Sequence, residues 1–158
     1  MAELRAPTDV LAYLVKQAHQ QLNGLVDAAL EPVGVDRKEF GVLEVLARSE
    51  PLSQQRTSAT VGIDPTTMVG LIDTLQAKGL VTRTPDPADR RRNVIQLTAK
   101  GRETWLAAGA AYLAAEDEFL APLSGPEAEQ FRLSLEVLLG AGTPGGVSRG
   151  RAAGRSRR

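Results

Sequence analysis

Apolar residues recur at three- and four-residue spacings early in the chain, where Leu11, Leu14, Val15, Ala18, Leu22, Leu25, Val26 and Ala29 form one broad stripe. That period is the signature of an amphipathic α-helix. It predicts a helix from about Thr8 to Ala29, ended by Pro32 and Gly34. Asp36, with Glu39 three residues on, reads as a capping box. Phe40, Val42, Leu43, Val45 and Leu46 then fill a second helix that stops before Pro51. Ser53 is expected to cap a short third helix through Thr60, followed by a turn at Val61-Gly62-Ile63.

Asp64-Pro65 pairs an N-cap with proline at the first helical position, a strong start signal. The fourth helix runs to Lys78, and Gly79 stands at the position that commonly ends a helix. Leu80–Thr84 and Asn93–Leu97 read as two short strands around a polar loop, Pro85 to Arg92. Thr98 caps a long fifth helix to about Leu120, and Ser124 or Gly125-Pro126 opens a sixth that ends near Leu139. A short helix joined to the next by a tight glycine turn suggests a helix-turn-helix. The hairpin directly after it supplies a wing. The fold class expected is mainly α: a winged helix-turn-helix with a small β-hairpin wing, plus N- and C-terminal dimerisation helices. Those outer helices are too long and apolar for so small a lobe to bury, and a second copy of the chain is the simplest cover.

At 158 residues, with 42% apolar and 24% charged residues, the chain has the size and composition of one globular domain. The single domain is expected over residues 8–140, with 36–97 as the DNA-binding lobe and 8–30 and 98–140 as dimerisation helices. Residues 141–158 are Gly-, Ala-, Ser- and Arg-rich and are expected to be a disordered tail. With no Cys and one His, disulfides, thiolate chemistry and multi-His metal sites drop out. No cofactor and no metal are expected. The first residues lack a basic segment leading into an apolar core, and no apolar run approaches membrane-spanning length, so the expectation is a cytoplasmic protein without a membrane partner.

Net charge is zero, yet its distribution is uneven. Residues 78–102 carry seven basic and two acidic groups, residues 1–77 carry six and ten, and residues 103–140 one and seven. The tail 141–158 adds five Arg and no acid. A basic island on an acidic body can hold a phosphate backbone in one orientation.

Ser53 through Gly101 carries a resemblance. Asp64-Pro65-Thr66-Thr67-Met68-Val69-Gly70-Leu71-Ile72-Asp73-Thr74-Leu75 is followed by Lys78-Gly79-Leu80-Val81, Asp86-Pro87-Ala88-Asp89-Arg90-Arg91 and Leu97-Thr98-Ala99-Lys100-Gly101-Arg102. This ordered run resembles the MarR family of bacterial transcriptional regulators, and element order extends the likeness across residues 8–140. The resemblance implies a homodimer on a pseudo-palindromic double-stranded DNA operator. It also implies a repressor released by a small aromatic or anionic ligand bound between the dimer helices and the DNA-binding lobe. One segment departs from the family: Arg56-Thr57-Ser58-Ala59-Thr60 stands where Glu, Leu and Ala are usual. Thr and Ser are weaker helix formers by a few tenths of a kcal/mol each, so this helix is expected to be short. Thr57 occupies a position that an apolar residue would normally fill.

On the fourth helix Met68, Leu71, Ile72 and Leu75 share the core face. Thr66, Thr67, Val69, Gly70, Asp73 and Thr74 lie outward or flank it, a small surface able to enter a major groove. Thr66, Thr67, Val69, Gly70 and Asp73 are therefore DNA-contact candidates, with Ser53 and Gln54 at the start of the third helix. Arg90, Arg91 and Arg92 in the wing are candidates for minor-groove and phosphate contacts, and Asp73 is placed to reach a wing arginine. Taken alone, the helix face also fits an ordinary surface helix, and the arginine run a solvated turn. His19 and Phe40 are core-packing residues or ligand contacts. Trp105, Tyr112 and Phe119 repeat every seven residues, as core or dimer seam, and Phe131, Leu135, Leu138 and Leu139 form a seam on the last helix. No enzyme reading is supported: Glu116-Asp117-Glu118 is a carboxylate run on one helix, and Gly62 to Gly70 lacks the Gly-Lys-Ser/Thr ending of a phosphate loop. The alternative to a DNA-binding regulator is a winged-helix module for protein partners.

Overall fold

A computed structural model describes residues 10–49, 52–86 and 93–140. Its elements are α1 (Leu11–Leu30), a 3-10 turn (Glu31–Val33), α2 (Arg37–Arg48), β1 (Leu52–Ser53), α3 (Gln54–Val61), α4 (Pro65–Ala77), β2 (Val81–Pro85), β3 (Asn93–Leu97), α5 (Ala99–Leu120) and α6 (Gly125–Leu138). The chain divides into two compact units at Phe119–Leu120.

In the first unit, local chemistry fixes most helix ends. The Asp36–Glu39 capping box forms reciprocally, each side chain accepting from the other's backbone N–H at 2.8 Å. Gly34, Gly62 and Gly79 each adopt a positive φ at a turn after a helix, which glycine allows without a Cβ clash. Thr98 Oγ1 accepts from Gly101 N at 2.9 Å and so caps α5. α1 begins later than the expected Thr8: Val10 is extended and no side chain caps the helix. With no cap, the apolar period alone does not fix where the first turn forms.

The core joins Val26 and Leu30 of α1, Val42, Leu43 and Leu46 of α2, and Met68, Ile72 and Leu75 of α4. Val35, Leu80, Val81, Ile95, Ala108 and Ala115 complete it. Burying each large aliphatic side chain contributes roughly 1.5–3 kcal/mol. Thr57 is fully buried and α3 spans only eight residues, as the weak helix formers led us to expect. The stripe on α1 is buried only towards its C-terminal end: Leu11 is 69% exposed, and Leu14 and Val15 are also exposed.

The sheet has three strands, where the sequence pattern suggested two. Its order is β1-β3-β2. β2 and β3 form the expected antiparallel hairpin, with Val81 opposite Leu97 and Pro85 opposite Asn93. Pro85 sits on the sheet's edge strand, where a missing N–H is tolerated. β1 adds Leu52 opposite Ile95 and Ser53 opposite Val94. Ser53, expected as the cap of the third helix, is thus a strand residue immediately before α3.

In the second unit, the Ser124–Glu127 capping box opens α6, with Ser124 N donating to Glu127 Oε2 at 2.8 Å. No α6 residue is buried, and Leu138 and Leu139 are 78% and 81% exposed. The tail expected at 141–158 lies outside the described residues. Among the described residues, no helix is long and apolar enough to cross a membrane.

Candidate nucleic-acid interface

Helix α4 is positioned from its first residue. Asp64 Oδ1 accepts from Thr67 N at 2.9 Å, and Pro65 follows at the first helical position. Hydrogen bonding from Thr67, first through its side chain and then through its backbone, holds the Asp64 carboxyl below the usual range. Met68, Ile72 and Leu75 are fully buried, and Leu71 is half-buried. Thr66, Thr67, Val69, Gly70, Asp73 and Thr74 are all exposed, so the expected outward face is the one observed. A Cβ built on Gly70 would meet nothing within 4 Å. The fold itself therefore makes no demand for glycine there. Beside it, Thr74 Oγ1 donates to Gly70 O at 2.9 Å.

Asp73 does reach an arginine of the hairpin, but one on the strand. The Arg83 guanidinium on β2 donates to Asp73 Oδ1 at 2.5 Å, tying the wing's first strand to the middle of α4. Arg90, Arg91 and Arg92 lie outside the described residues. Ser53 closes β1 and Gln54 opens α3, which sets both at the start of the helix-turn-helix.

The C-terminal end of α4 is held from two sides. Lys78 Nζ donates to both carboxylate oxygens of Glu39, at 2.7 and 2.8 Å, and to Gly34 O at 2.8 Å. Glu39 is only 3% exposed. On the other side Lys100 Nζ donates to Lys78 O at 2.8 Å, and Thr98 Oγ1 donates to Gly79 O at 2.7 Å. Gly101 packs directly on this joint: a Cβ there would lie 1.9 Å from Leu80 O.

A cavity of about 490 Å³ opens between α2 and α5, with Phe40, Glu44, Arg48, Trp105, Tyr112 and Leu113 among its walls. Phe40 stacks on Tyr112 with ring centroids 5.5 Å apart. Trp105 Nε1 donates to Glu44 Oε2 at 2.5 Å, while Arg48 Nε donates to Glu44 Oε1. Burial pushes the Glu44 carboxyl up, but the Trp105 and Arg48 hydrogen bonds, with the Arg48 charge, outweigh it and hold the group below its usual value. Of the two candidate ligand contacts, Phe40 lines this cavity. His19 is exposed on α1, hydrogen-bonded to Asn23 at 2.9 Å, and does not line this cavity. The expected aromatic seam divides: Trp105 and Tyr112 line the cavity and Phe119 does not.

The sequence profile of the MarR family matches residues 33–92. An HTH-type transcriptional repressor of Mycobacterium tuberculosis, Rv2887, is 32% identical over 128 residues, covering 81% of this chain and 92% of that protein. The chain belongs to the MarR family. Among solved MarR family structures, CouR of Rhodococcus jostii bound to p-coumaroyl-CoA is 32% identical with a TM-score of 0.72, over 92% of this chain and all of that one. Rv2887 in complex with DNA is 31% identical with a TM-score of 0.72, over 85% of this chain and 98% of that one. Within this MarR family member, sequence reasoning missed the partners of Lys78, Arg83 and Lys100. One signal was available. Glu39 falls on the α2 face that also carries Leu43 and Leu46, and a carboxylate buried there needs a cation.

Proposed function

We propose that this MarR family regulator is a homodimeric repressor that binds a pseudo-palindromic double-stranded operator and is released by a small aromatic or anionic ligand. One observation carries the reading: α4, capped by Asp64 and anchored by buried Met68, Ile72 and Leu75, turns a small, uncharged surface of Thr66, Thr67, Val69 and Gly70 outward. Such a surface fits a groove about 12 Å wide, with hydroxyls for base edges and methyls for thymine. In this reading residues 36–97 form the DNA-binding lobe, with Ser53 and Gln54 at the phosphate backbone and Arg90, Arg91 and Arg92 in the wing contacts. Asp73 fixes Arg83. Residues 8–30 and 98–140 make the dimer; a second copy covers the exposed apolar side chains of α1 and, separately, those of α6. The Phe40–Tyr112 cavity receives the ligand, with His19 outside it. No catalytic step and no cofactor belong to this reading, and its setting is the cytoplasm.

The test is fluorescence anisotropy against the protein's own upstream intergenic DNA and a scrambled duplex, across a salt series. Specific regulators favour their site by about 10³-fold or more, and affinity falls steeply with salt. An Arg90→Ala, Arg91→Ala double variant that binds at wild-type strength would remove the wing from the interface. Equal, weak binding to both duplexes would overturn operator recognition of this DNA. The chain's only tryptophan lines the cavity, so its emission reports ligand entry directly.

A further inference from the structure

The basic stretch 78–102 looks, by charge alone, like a surface for phosphates. Three of its cations, Lys78, Arg83 and Lys100, are already engaged within the protein. Lys78 has three ammonium protons and three acceptors, Glu39 Oε1, Glu39 Oε2 and Gly34 O, all within 2.8 Å. No donor is left over for DNA. Arg83 is paired with Asp73, and Lys100 is bonded to the Lys78 carbonyl. Each of the three cations therefore makes a bond that involves α4 or the residue that closes it.

We propose that Lys78 is a positioning residue for sequence readout: through Glu39 it fixes the tilt of α4, and it makes no phosphate contact. The inference rests on α4 being the recognition helix. Lys78 closes α4 at the end opposite Thr66 and Thr67, eleven residues from Thr67. At 1.5 Å per residue that is an arm of about 16 Å, so a tilt of about 5° at Lys78 displaces Thr67 by about 1.4 Å. Base-edge hydrogen bonds survive only a few tenths of that error. Phosphate attraction is far less sensitive to such a shift, because it acts over about 8–10 Å at ordinary salt. Loosening Lys78 therefore removes sequence discrimination and leaves general DNA affinity in place. Glu39 is suited to this role because its carboxylate is already fixed by Asp36 N at the start of α2. The pair thus ties the end of one helix to the start of another, 39 residues earlier in the chain.

The experiment uses the full chain and an operator obtained by selection from a random duplex library. Anisotropy on that operator and on a scrambled duplex, over a salt series, is measured for wild type, Lys78→Gln, Glu39→Gln and the double variant, with thermal melts as the check on folding. Each single variant is expected to lower the ratio of specific to nonspecific affinity at least tenfold with an unchanged salt slope. The double variant is expected to be no worse than the weaker-binding single, because both act through one bond. A salt slope that falls by about one with uniform weakening would make Lys78 a phosphate contact and overturn the proposal. So would single effects that multiply, or an unchanged ratio. If Lys78→Gln does not fold, Glu39→Gln carries the test, since its amide oxygen still accepts from Asp36 N. A wild type that selects no sequence overturns the regulator reading itself. A wild type that selects one, with both variants unchanged, overturns this inference alone.

Discussion

Gly70 gives the sharpest test of which face of α4 meets DNA, because stability and binding should move in opposite directions. It lies in the middle of a 13-residue helix, where glycine is less favourable than alanine by roughly 0.5–1 kcal/mol. A Cβ at this position meets nothing within 4 Å, so Gly70→Ala brings the helix-propensity gain without a clash. For a chain of this size that gain corresponds to a rise in Tm of about 1–4 °C. If the outward face enters a groove, the new methyl stands between helix backbone and base edges. A loss of at least about tenfold in operator affinity, about 1.4 kcal/mol, should follow. Binding to a scrambled duplex and its salt slope should not change, since no charge is altered. Differential scanning calorimetry and anisotropy on the same preparation measure both quantities. A variant that is more stable and binds its operator as tightly as wild type would refute the assignment of this face to the groove. A variant that is less stable would refute the reading of Gly70 as structurally unconstrained.

Two further perturbations test the frame around α4. Folded Asp64 titrates below its ordinary value, so its cap contributes fully above the unfolded pKa and is lost as pH falls through the folded one. Asp64→Asn, an equally good cap without a titrating proton, should match wild type at neutral pH and flatten the acid limb of stability, read by circular dichroism melts from pH 7 to 3. At Gly101 the Leu80 carbonyl blocks any side chain, and that oxygen also accepts from Thr98 N at 3.0 Å. Gly101→Ala should therefore cost about 3 kcal/mol in chemical denaturation, the upper end of overpacking effects; a cost below 1 kcal/mol would show that the joint can shift.

The legible parts of the fold were those set by neighbours in sequence. Asp36 with Glu39, Asp64 with Pro65 and Gly79 after α4 each act within one helical turn, and each appears where the sequence pattern places it. Of the two starts left open for α6, Ser124 is the N-cap, and its box with Glu127 went unread. β1 escaped notice because two residues show no alternation. It exists because Leu52 and Ser53 find Ile95 and Val94 more than forty positions away. The outward face of α4 could be read because burial of Met68, Ile72 and Leu75 follows helical period. The partners of Lys78, Arg83 and Lys100 could not, since charge counting assigns a sign to each side chain and no direction.

Helix α5 meets two different demands along its length. At Gly101 it lies against the Leu80 carbonyl with no room for a side chain, while one to three turns on, Leu106, Gly109, Ala110 and Leu113 border an open cavity. Drift in sequence is thus confined at one end and permitted at the other. On the proposed reading, a lineage would exchange the small molecule it senses by substituting the cavity border, while Thr98 to Gly101 preserves the seat of α4. The same division marks where a designed sensor would be altered and where it would be left untouched.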